Sequence, residues 1–235
     1  MTAKGFGEIL QPRAVTETMA RRKESNEVES AATLVPKRPT LRLLREAAAD
    51  CKACDLWKPA TQTVFSEGPR LASLMAVGEE PGNDEDLIGR PFVGPAGKLL
   101  DQALAAAGID RKQVYLTNVV KHFKFEPRGK RRIHKKPNST EVRACKPWLE
   151  AEIAVVKPRI ILCLGATAAQ ALLGTQFKVT LQRGQFVESP LAPFVMATVH
   201  PSSVLRAPDA ETRRSDMKRL IDDLKKVRRV LLKPE

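Results

Sequence analysis

Polar residues suited to chemistry follow four short apolar segments of this chain. Each segment has the length and composition of a buried strand: Leu71–Val77, Val114–Val119, Arg159–Leu164 and Phe194–Val199. They lead, in that order, to Gly78-Glu79-Glu80-Pro81-Gly82, Thr117-Asn118, Gly165-Ala166-Thr167 and His200-Pro201-Ser202-Ser203. A carboxylate, an amide and an imidazole that meet in one place can bind a polar ligand and move protons.

Helical patterns separate these segments and predict how the polar motifs come together. Asn138 and Glu141 form a capping-box pair ahead of one helix. The alternation of strands and helices predicts a three-layer α/β/α domain with a central four-stranded, mainly parallel sheet. Ligands of such sheets bind beyond the carboxyl ends of the strands. The helices are expected over Thr40–Cys51 (with Thr40 as its cap), Ala96–Ala107, Thr140–Val156, Ala166–Leu173 and Thr212–Leu232.

Each candidate side chain also has an ordinary structural explanation. Alone, Glu79 could be a solvated acid in a turn, Asn118 a cap at a strand end, and His200 a neighbour of a helix N-terminus. Their expected convergence at the ligand-binding edge of the sheet favours a functional site, although it names no reaction.

The charge of the chain favours a polyanionic partner. The 235 residues carry 40 Lys or Arg against 27 Asp or Glu, a formal net charge of +13, and the pI is near 9.9. Nucleic acid is the first candidate partner and an anionic membrane face the second. Residues 121–136 hold eight cations against Glu126, so this segment is the expected phosphate contact.

The composition also predicts the domain organisation. Residues 1–39 are polar and charged, and are expected to form a flexible tail ahead of one domain over residues 40–235. The sequence contains no run of eighteen apolar residues, so no membrane span is predicted. Met1–Leu10 lacks the apolar core of a secretory signal. We therefore expect a cytoplasmic protein with no membrane partner.

Four cysteines in a cytoplasmic chain indicate metal binding, redox chemistry or core packing more often than disulfides. Cys51 and Cys54 form a CxxC pair, which indicates a metal site only if two further ligands exist. Cys145 is one candidate ligand, and either His122 or Cys163 is the other. Cys163 lies inside an all-apolar segment, where a cysteine usually packs in the core.

Ordered motifs between Cys51 and Leu224 resemble those of the iron–sulfur (type-4) uracil-DNA glycosylases. Within that family, Lys130-Arg131-Arg132-Ile133-His134 is similar to the inserted loop that marks the UdgX group, whose members become covalently joined to uracil-containing DNA. The family motifs are GEEPG at 78–82, GRPFVGPAGKLL at 89–100, TNVVK at 117–121 and HPSS at 200–203.

The resemblance implies a role for each matched position. Phe92 stacks on a flipped uracil, and Asn118 reads the pairing edge of that base. Glu79 acts on the sugar side, His200 hydrogen-bonds the departing base, and His134 is the nucleophile. Gly78 and Glu80 complete the uracil-binding site. Further DNA contacts are expected from Lys130, Arg131, Arg132, Lys135, Ser202, Ser203 and Arg206.

The chemistry of these residue types agrees with those roles. An Asn amide pairs with O4 and N3–H of uracil together, whereas cytosine reverses that pattern and leaves buried groups unpaired. The cations around His134 are expected to disfavour its imidazolium and so to keep the ring nucleophilic. Glu80 departs from the group, which usually has Gln there, and a second anion beside Glu79 is expected to raise the pKa of one of the pair.

The resemblance also implies a cofactor and a partner. A [4Fe–4S] cluster is expected on Cys51, Cys54, His122 and Cys145, with zinc as the alternative. The expected partner is uracil-containing DNA, preferably single-stranded, bound by a monomer. The expected reaction is excision of uracil followed by capture of the deoxyribose on His134 in one turnover. The alternatives are a hydrolytic glycosylase in which Glu79 activates water, and a non-catalytic DNA binder.

Overall fold

The computed structural model describes residues 30–234, and its centre is a mixed sheet. Four strands coincide with the four apolar segments: β2 (Leu74–Gly78), β3 (Val114–Asn118), β6 (Ile160–Leu164) and β8 (Phe194–Thr198). They are mutually parallel and almost completely buried, as expected for strands that are covered on both faces. The predicted four-stranded parallel core is confirmed.

Two short strands extend this core at its edges. They are β1 (Ser66–Glu67) and β7 (Phe186–Val187), and both pair antiparallel with their neighbours, which gives the order β1-β3-β2-β6-β8-β7. A separate two-stranded hairpin comprises β4 (Phe125–Arg128) and β5 (Arg131–His134). Part of the basic segment 121–136, for which the family resemblance predicted a loop, is therefore regular β-structure.

Residues 30–234 contain eight α-helices: α1 (Leu41–Ala49), α2 (Asn83–Ile88), α3 (Pro95–Ala106), α4 (Ser139–Val156), α5 (Ala166–Leu173), α6 (Val179–Gln182), α7 (Pro201–Leu205) and α8 (Ala210–Leu231). One face of the sheet packs against α1, α4 and α5, and the opposite face packs against α3, α7 and α8, because successive strand residues alternate between two hydrophobic clusters. The three-layer α/β/α architecture is confirmed.

The predicted helix starts follow from side-chain capping. Thr40 Oγ1 accepts a hydrogen bond from Leu43 N at 3.2 Å and begins α1. Asn138 Oδ1 accepts from Glu141 N at 2.9 Å, and Glu141 Oε2 accepts from Asn138 N at 2.7 Å, so the predicted capping box begins α4.

The domain begins before the predicted boundary at residue 39. Ala31 lies in a 3₁₀ turn (Ala31–Thr33) and is fully buried in the same cluster as Trp148 of α4. Residues 1–29 of the predicted tail lie outside the described residues. No helix between residues 30 and 234 is both long and apolar enough to cross a membrane.

Candidate active site

The carboxyl ends of β2 and β3 bring the first site residues together. Gly78 pairs in register with Asn118 at the end of both strands. A Cβ at Gly78 would lie 2.3 Å from Asn118 Oδ1 and 2.7 Å from Phe92 Cζ. Glycine is therefore required at this position, because it lets the Asn118 amide and the Phe92 ring close over the strand end.

Phe92 is held firmly despite an unfavourable backbone conformation. Its φ of 57° lies in the left-handed region, which a bulky residue rarely adopts. Its ring is buried and stacks on the ring of His200, with centroids 6.3 Å apart and planes 30° from parallel. The packing around the ring offsets the backbone strain, and strain of this kind concentrates at binding sites.

His200 follows β8 and is fixed as a neutral hydrogen-bond donor. Its Nδ1 accepts from Ser202 N at 3.2 Å and lies 2.7 Å from Ser202 Oγ. In a neutral ring with Nδ1 as the acceptor, Nε2 carries the proton. Burial lowers the pKa of His200 to about 4, with further lowering from Arg206 and His134. The Nε2–H group can therefore donate to an oxygen that develops negative charge.

His134, at the end of β5, reaches the glutamates that follow β2. Its Nε2 lies 3.0 Å from Glu80 Oε1 and 3.7 Å from Glu79 Oε1. The strand ends bring Glu79, Asn118 and His200 to one edge of the sheet, where their positions after the strands predicted them. Phe92 packs against His200 there and the hairpin adds His134, two positions that were expected from the family resemblance.

The expected protonation of His134 is wrong. The contact with Glu80 raises the pKa of His134, and this outweighs the lowering by burial. The cations of the hairpin were expected to keep the ring neutral, but the nearest charged groups in space are acids. Arg206, which follows α7, lowers this pKa through its charge, but by less than either acid raises it.

Glu80 has the environment of a proton-holding carboxyl. Its side chain is fully buried, and burial raises its pKa to about 8, with a smaller rise caused by Glu79. Apart from the contact with His134 Nε2 at 3.0 Å, neither Glu80 oxygen has a hydrogen-bond partner within the described residues. Since His134 Nε2 is the nearest charged neighbour, the two residues titrate as a pair. The predicted rise in the pKa of one acid is confirmed for Glu80, with burial as the main cause.

Glu79 is oriented by a residue that the sequence analysis did not single out. Thr167 Oγ1 donates a short hydrogen bond to Glu79 Oε2, so Glu79 Oε1 is the oxygen that faces His134. Thr167 lies in the first turn of α5, directly after β6, at the same edge of the sheet as the other site residues. Its place in a strand-to-helix turn was the available signal.

The hairpin is attached to the domain through Arg132. This residue contacts Asp86 Oδ2 at 2.6 Å and Asn83 Oδ1 at 2.8 Å, and its guanidinium lies over the rings of Phe123 and Phe125. Asp86 is completely buried. Because the guanidinium is occupied inside the protein, we revise its predicted phosphate contact to an anchoring role that places His134.

Fewer cations of the basic segment are available to DNA than its composition suggested. Lys121 is buried against Glu152, and Lys124 contacts Glu141 at 2.9 Å. Lys135 pairs with Glu126 at 2.7 Å on the exposed surface. The exposed cations without a salt bridge in this part of the described chain are Arg128, Lys130 and Arg131 around the hairpin turn at Gly129, and Lys136 beyond the end of β5.

The remaining predicted DNA contacts surround His200. Ser202 contacts the His200 ring, and Ser203 Oγ donates to His200 O at 2.7 Å. Both hydroxyls therefore position His200, whichever contacts they make with DNA. Arg206 is exposed at the end of α7 and is close enough to lower the pKa of His200.

Three of the predicted metal ligands are cysteines whose sulfurs lie close together. Cys51 and Cys145 are buried free thiols, and Cys54 is half-buried. Burial raises the pKa of Cys145 to about 12, and the charges of Cys54 and Cys51 raise it further, so the three sulfurs are neighbours. Trp148 Nε1 donates to Cys51 Sγ at 3.3 Å, and Lys121 N donates to Cys145 Sγ at 3.2 Å. Such N–H donors stabilise thiolates that hold a metal.

His122 and Cys163 differ in their surroundings. His122 Nε2 lies 2.9 Å from Thr63 Oγ1, and that hydroxyl also contacts Ala48 O at 2.9 Å, close to Cys51 in the chain. Burial lowers the pKa of His122 to about 4, so its ring is neutral and able to bind a metal. Cys163 is completely buried within β6, as expected for core packing.

Comparison with known proteins places these observations in a family. The family model described as "Uracil DNA glycosylase superfamily" matches residues 65–225. The chain is 36% identical over 206 residues to the type-4 uracil-DNA glycosylase of Sulfurisphaera tokodaii, which covers 83% of this chain and 87% of that protein. It is 39% identical over 175 residues to the type-4 uracil-DNA glycosylase of Pyrobaculum aerophilum, a match that covers 72% of this chain and 86% of that protein. It is 36% identical over 194 residues to the type-4 uracil-DNA glycosylase of Thermotoga maritima, which covers 82% of this chain and 95% of that protein.

The chain belongs to the uracil-DNA glycosylase superfamily and, within it, to the type-4 family.

Proposed function

We propose that this chain excises uracil from DNA and that His134 then captures the deoxyribose in a covalent bond. Breaking the bond between C1′ and N1 leaves the electron pair on uracil and positive charge on the sugar. The lone pair of His134 Nε2 forms the new bond to C1′. The Nδ1 proton of the resulting imidazolium is lost to solvent, and the uracil anion takes up a proton as it leaves.

The residues around the base supply recognition. The Phe92 ring offers a stacking surface, which is worth about 1–3 kcal/mol per base. The Asn118 amide can accept from N3–H and donate to O4 of uracil. The Nε2–H of His200 stabilises the departing base, since a donor placed in a buried site favours developing negative charge. Glu79 stabilises the positive charge at the sugar, with Thr167 holding its second oxygen.

The observation that carries covalent capture is the position of His134. Its Nε2 faces Glu79 and Glu80 at 3.7 and 3.0 Å, at the ligand edge of the sheet, and its side chain remains about half exposed. Attack requires Nε2 to be unprotonated. Because Glu80 and His134 titrate as a pair, the proton that leaves Nε2 can pass to the Glu80 carboxylate 3.0 Å away.

A denaturing gel tests this proposal. The protein is incubated with uracil-containing oligonucleotides, single-stranded and duplex, and we expect a shifted band that survives SDS and heat, formed faster on the single strand because no pairing energy is lost. His134→Ala should abolish the band, whereas Ile133→Ala, its exposed neighbour in the hairpin, should keep it. Accumulation of abasic DNA over many turnovers would instead support water activation by Glu79. Uracil that stays attached to its sugar would support a binding protein.

We also propose that Cys51, Cys54, His122 and Cys145 hold a [4Fe–4S] cluster. Three cysteines lie close together, and the sulfurs of two of them accept a hydrogen bond from an N–H group. The His122 ring is neutral, and its Nδ1 is available because Nε2 is the nitrogen that contacts Thr63. In the described residues, no three His, Cys, Asp or Glu side chains converge closely enough to hold a single ion, which disfavours zinc. When bound, such a cluster would give structural support, because cleavage of the bond between C1′ and N1 needs no electron from it.

The cofactor proposal has its own test. The purified protein should be brown, with absorbance near 400 nm and bound iron and sulfide. Cys145→Ala should lose that absorbance, and Cys163→Ala should keep it. Stoichiometric zinc in a colourless protein would contradict the proposal. We propose further that a monomer suffices, because every site residue named comes from one chain, and gel filtration tests this.

A further inference from the structure

Lys121 is one of the most deeply buried side chains in the described part of the chain, although it begins the most basic segment. Its side chain is 1% exposed. Its Nζ donates to Glu152 Oε2 at 2.5 Å, to Thr117 Oγ1 at 2.6 Å and to the backbone carbonyl of Asn118 at 2.9 Å. These three bonds use all the protons of an ammonium group. Lys121 is therefore unavailable to DNA and fully committed inside the protein.

The backbone of the same residue contacts the cysteine site. Lys121 N donates to Cys145 Sγ at 3.2 Å, and Lys121 O accepts from Val64 N at 2.8 Å. One residue thus bonds a predicted metal ligand through its backbone and Asn118 through its side chain.

Helix α4 holds this segment at two points on one face. Cys145 and Glu152 are seven residues apart, which is two helical turns. Glu152 is completely buried and accepts from Tyr115 Oη at 2.9 Å and Thr117 Oγ1 at 3.0 Å as well as from Lys121. Because these four side chains are linked by hydrogen bonds, the network is rigid.

The segment that Lys121 fixes also supports the catalytic motif. Val119 N donates to Gly78 O and Val120 N donates to Glu79 O, each at 3.0 Å. The backbone from Asn118 to Lys121 is therefore bonded to the Glu79 turn on one side and to Cys145 on the other.

We propose that Lys121 is a positioning residue for base recognition: by holding the Asn118 carbonyl against Glu152, it fixes the end of β3 so that the Asn118 amide faces uracil. This inference rests on the proposed reading of uracil by Asn118. Because the contact with Cys145 is made by the backbone of Lys121, its side chain acts on uracil selectivity and leaves metal retention intact.

The test separates recognition of the base from binding of DNA. Lys121→Met keeps the length of the side chain and removes the ammonium. Binding is measured by fluorescence anisotropy with two single strands, one carrying 2′-fluoro-deoxyuridine, which resists cleavage, and one carrying a tetrahydrofuran abasic analogue. Loss of a buried charge-assisted bond predicts that the preference for the uracil strand falls about 10- to 100-fold. Affinity for the abasic strand and iron content per chain should stay at the wild-type level.

Two further variants keep the result interpretable. Lys121→Met together with Glu152→Gln removes both charges of the pair, so that no unpaired buried carboxylate unfolds the protein. Arg183→Met breaks another buried ion pair, Arg183–Asp223 at 2.8 Å, and should lower thermal stability without changing uracil preference.

Either of two results would overturn the inference. One is a folded Lys121 variant, single or double, that keeps the wild-type preference for uracil. The other is loss of iron in parallel with loss of preference, because Lys121 would then act through the cysteine site alone. If the wild-type protein shows no preference for the uracil strand, it is the proposed function that fails.

Discussion

Replacing Glu80 by Gln should move the pH dependence of covalent capture to lower pH. Capture needs unprotonated Nε2 on His134, so its rate rises as pH passes through the pKa of that ring. The contact with Glu80 is the largest cause that raises this pKa, and burial acts in the opposite direction. A neutral amide of the same shape removes the cause and leaves the burial, so the pKa of His134 falls.

The magnitude follows from the geometry of the contact. A charge-assisted hydrogen bond contributes about 1.5–3 kcal/mol, and the half-exposed His134 side chain places this one at the low end because solvent screens it. About 1.4 kcal/mol corresponds to a factor of ten in an equilibrium. We therefore expect the midpoint of the rate profile to move to lower pH, and Glu80→Gln to capture up to about tenfold faster below the wild-type midpoint.

Single-turnover capture on denaturing gels, from pH 5.5 to 9 with saturating DNA, measures this shift directly. The two profiles should converge at high pH, where His134 is neutral in both proteins. Glu79→Gln serves as the comparison, since it should lower the rate at every pH. Superimposable profiles for Glu80→Gln and the wild type would refute the coupling between Glu80 and His134.

Three other predictions follow from the same contacts. Because burial raises the pKa of Glu80 from 4.5 to about 8, the folded state binds more protons than the unfolded state in that window, and wild-type stability falls there as pH rises. Glu80→Gln should thus gain roughly 4 kcal/mol over the wild type in denaturant unfolding at pH 8 and little at pH 4. Arg132→Met leaves the buried Asp86 carboxylate without its ion pair and should cost about 3 kcal/mol and slow capture, whereas Arg131→Met should keep the melting temperature and reduce the salt dependence of binding. Asn118→Asp has no N–H to donate to O4 and should lose at least about tenfold in uracil-over-cytosine selectivity in excision assays; unchanged selectivity would remove Asn118 from base reading.

The sheet and the main helices could be predicted because their signals are local. An apolar run such as Ile160–Leu164 avoids contact with water only when it is buried. The capping pair Asn138 and Glu141 marks the start of a helix within four residues. Helix α5 has the bounds predicted for it. The edge strands β1 and β7 are two residues long, too short to show any period, and they form because a neighbouring strand is already in place.

The hairpin was missed because its sequence opposes the usual strand pattern. Pro127 lies inside β4, and most other residues of the two strands are charged. The glycine at its turn, Gly129 with φ 57°, was the one local signal. Its attachment depends on the contact between Arg132 and Asp86, which are 46 residues apart, so no local pattern reveals it.

The protonation of His134 shows the same limit. Its neighbours in sequence are cations, and its neighbours in space are Glu79 and Glu80, more than fifty residues earlier. Topology could predict that these groups share one edge of the sheet, but only the hairpin's direction determines which charges face the ring.

The most direct test of the account is the site of covalent attachment. After reaction with uracil-containing DNA and nuclease digestion, the protein is cleaved into peptides and the residual deoxyribose adduct is located by tandem mass spectrometry. The account predicts an adduct on the His134 imidazole, with free uracil released in equal amount. An adduct on Glu79, on a lysine or on any other residue, or a protein without adduct beside released uracil, would contradict it.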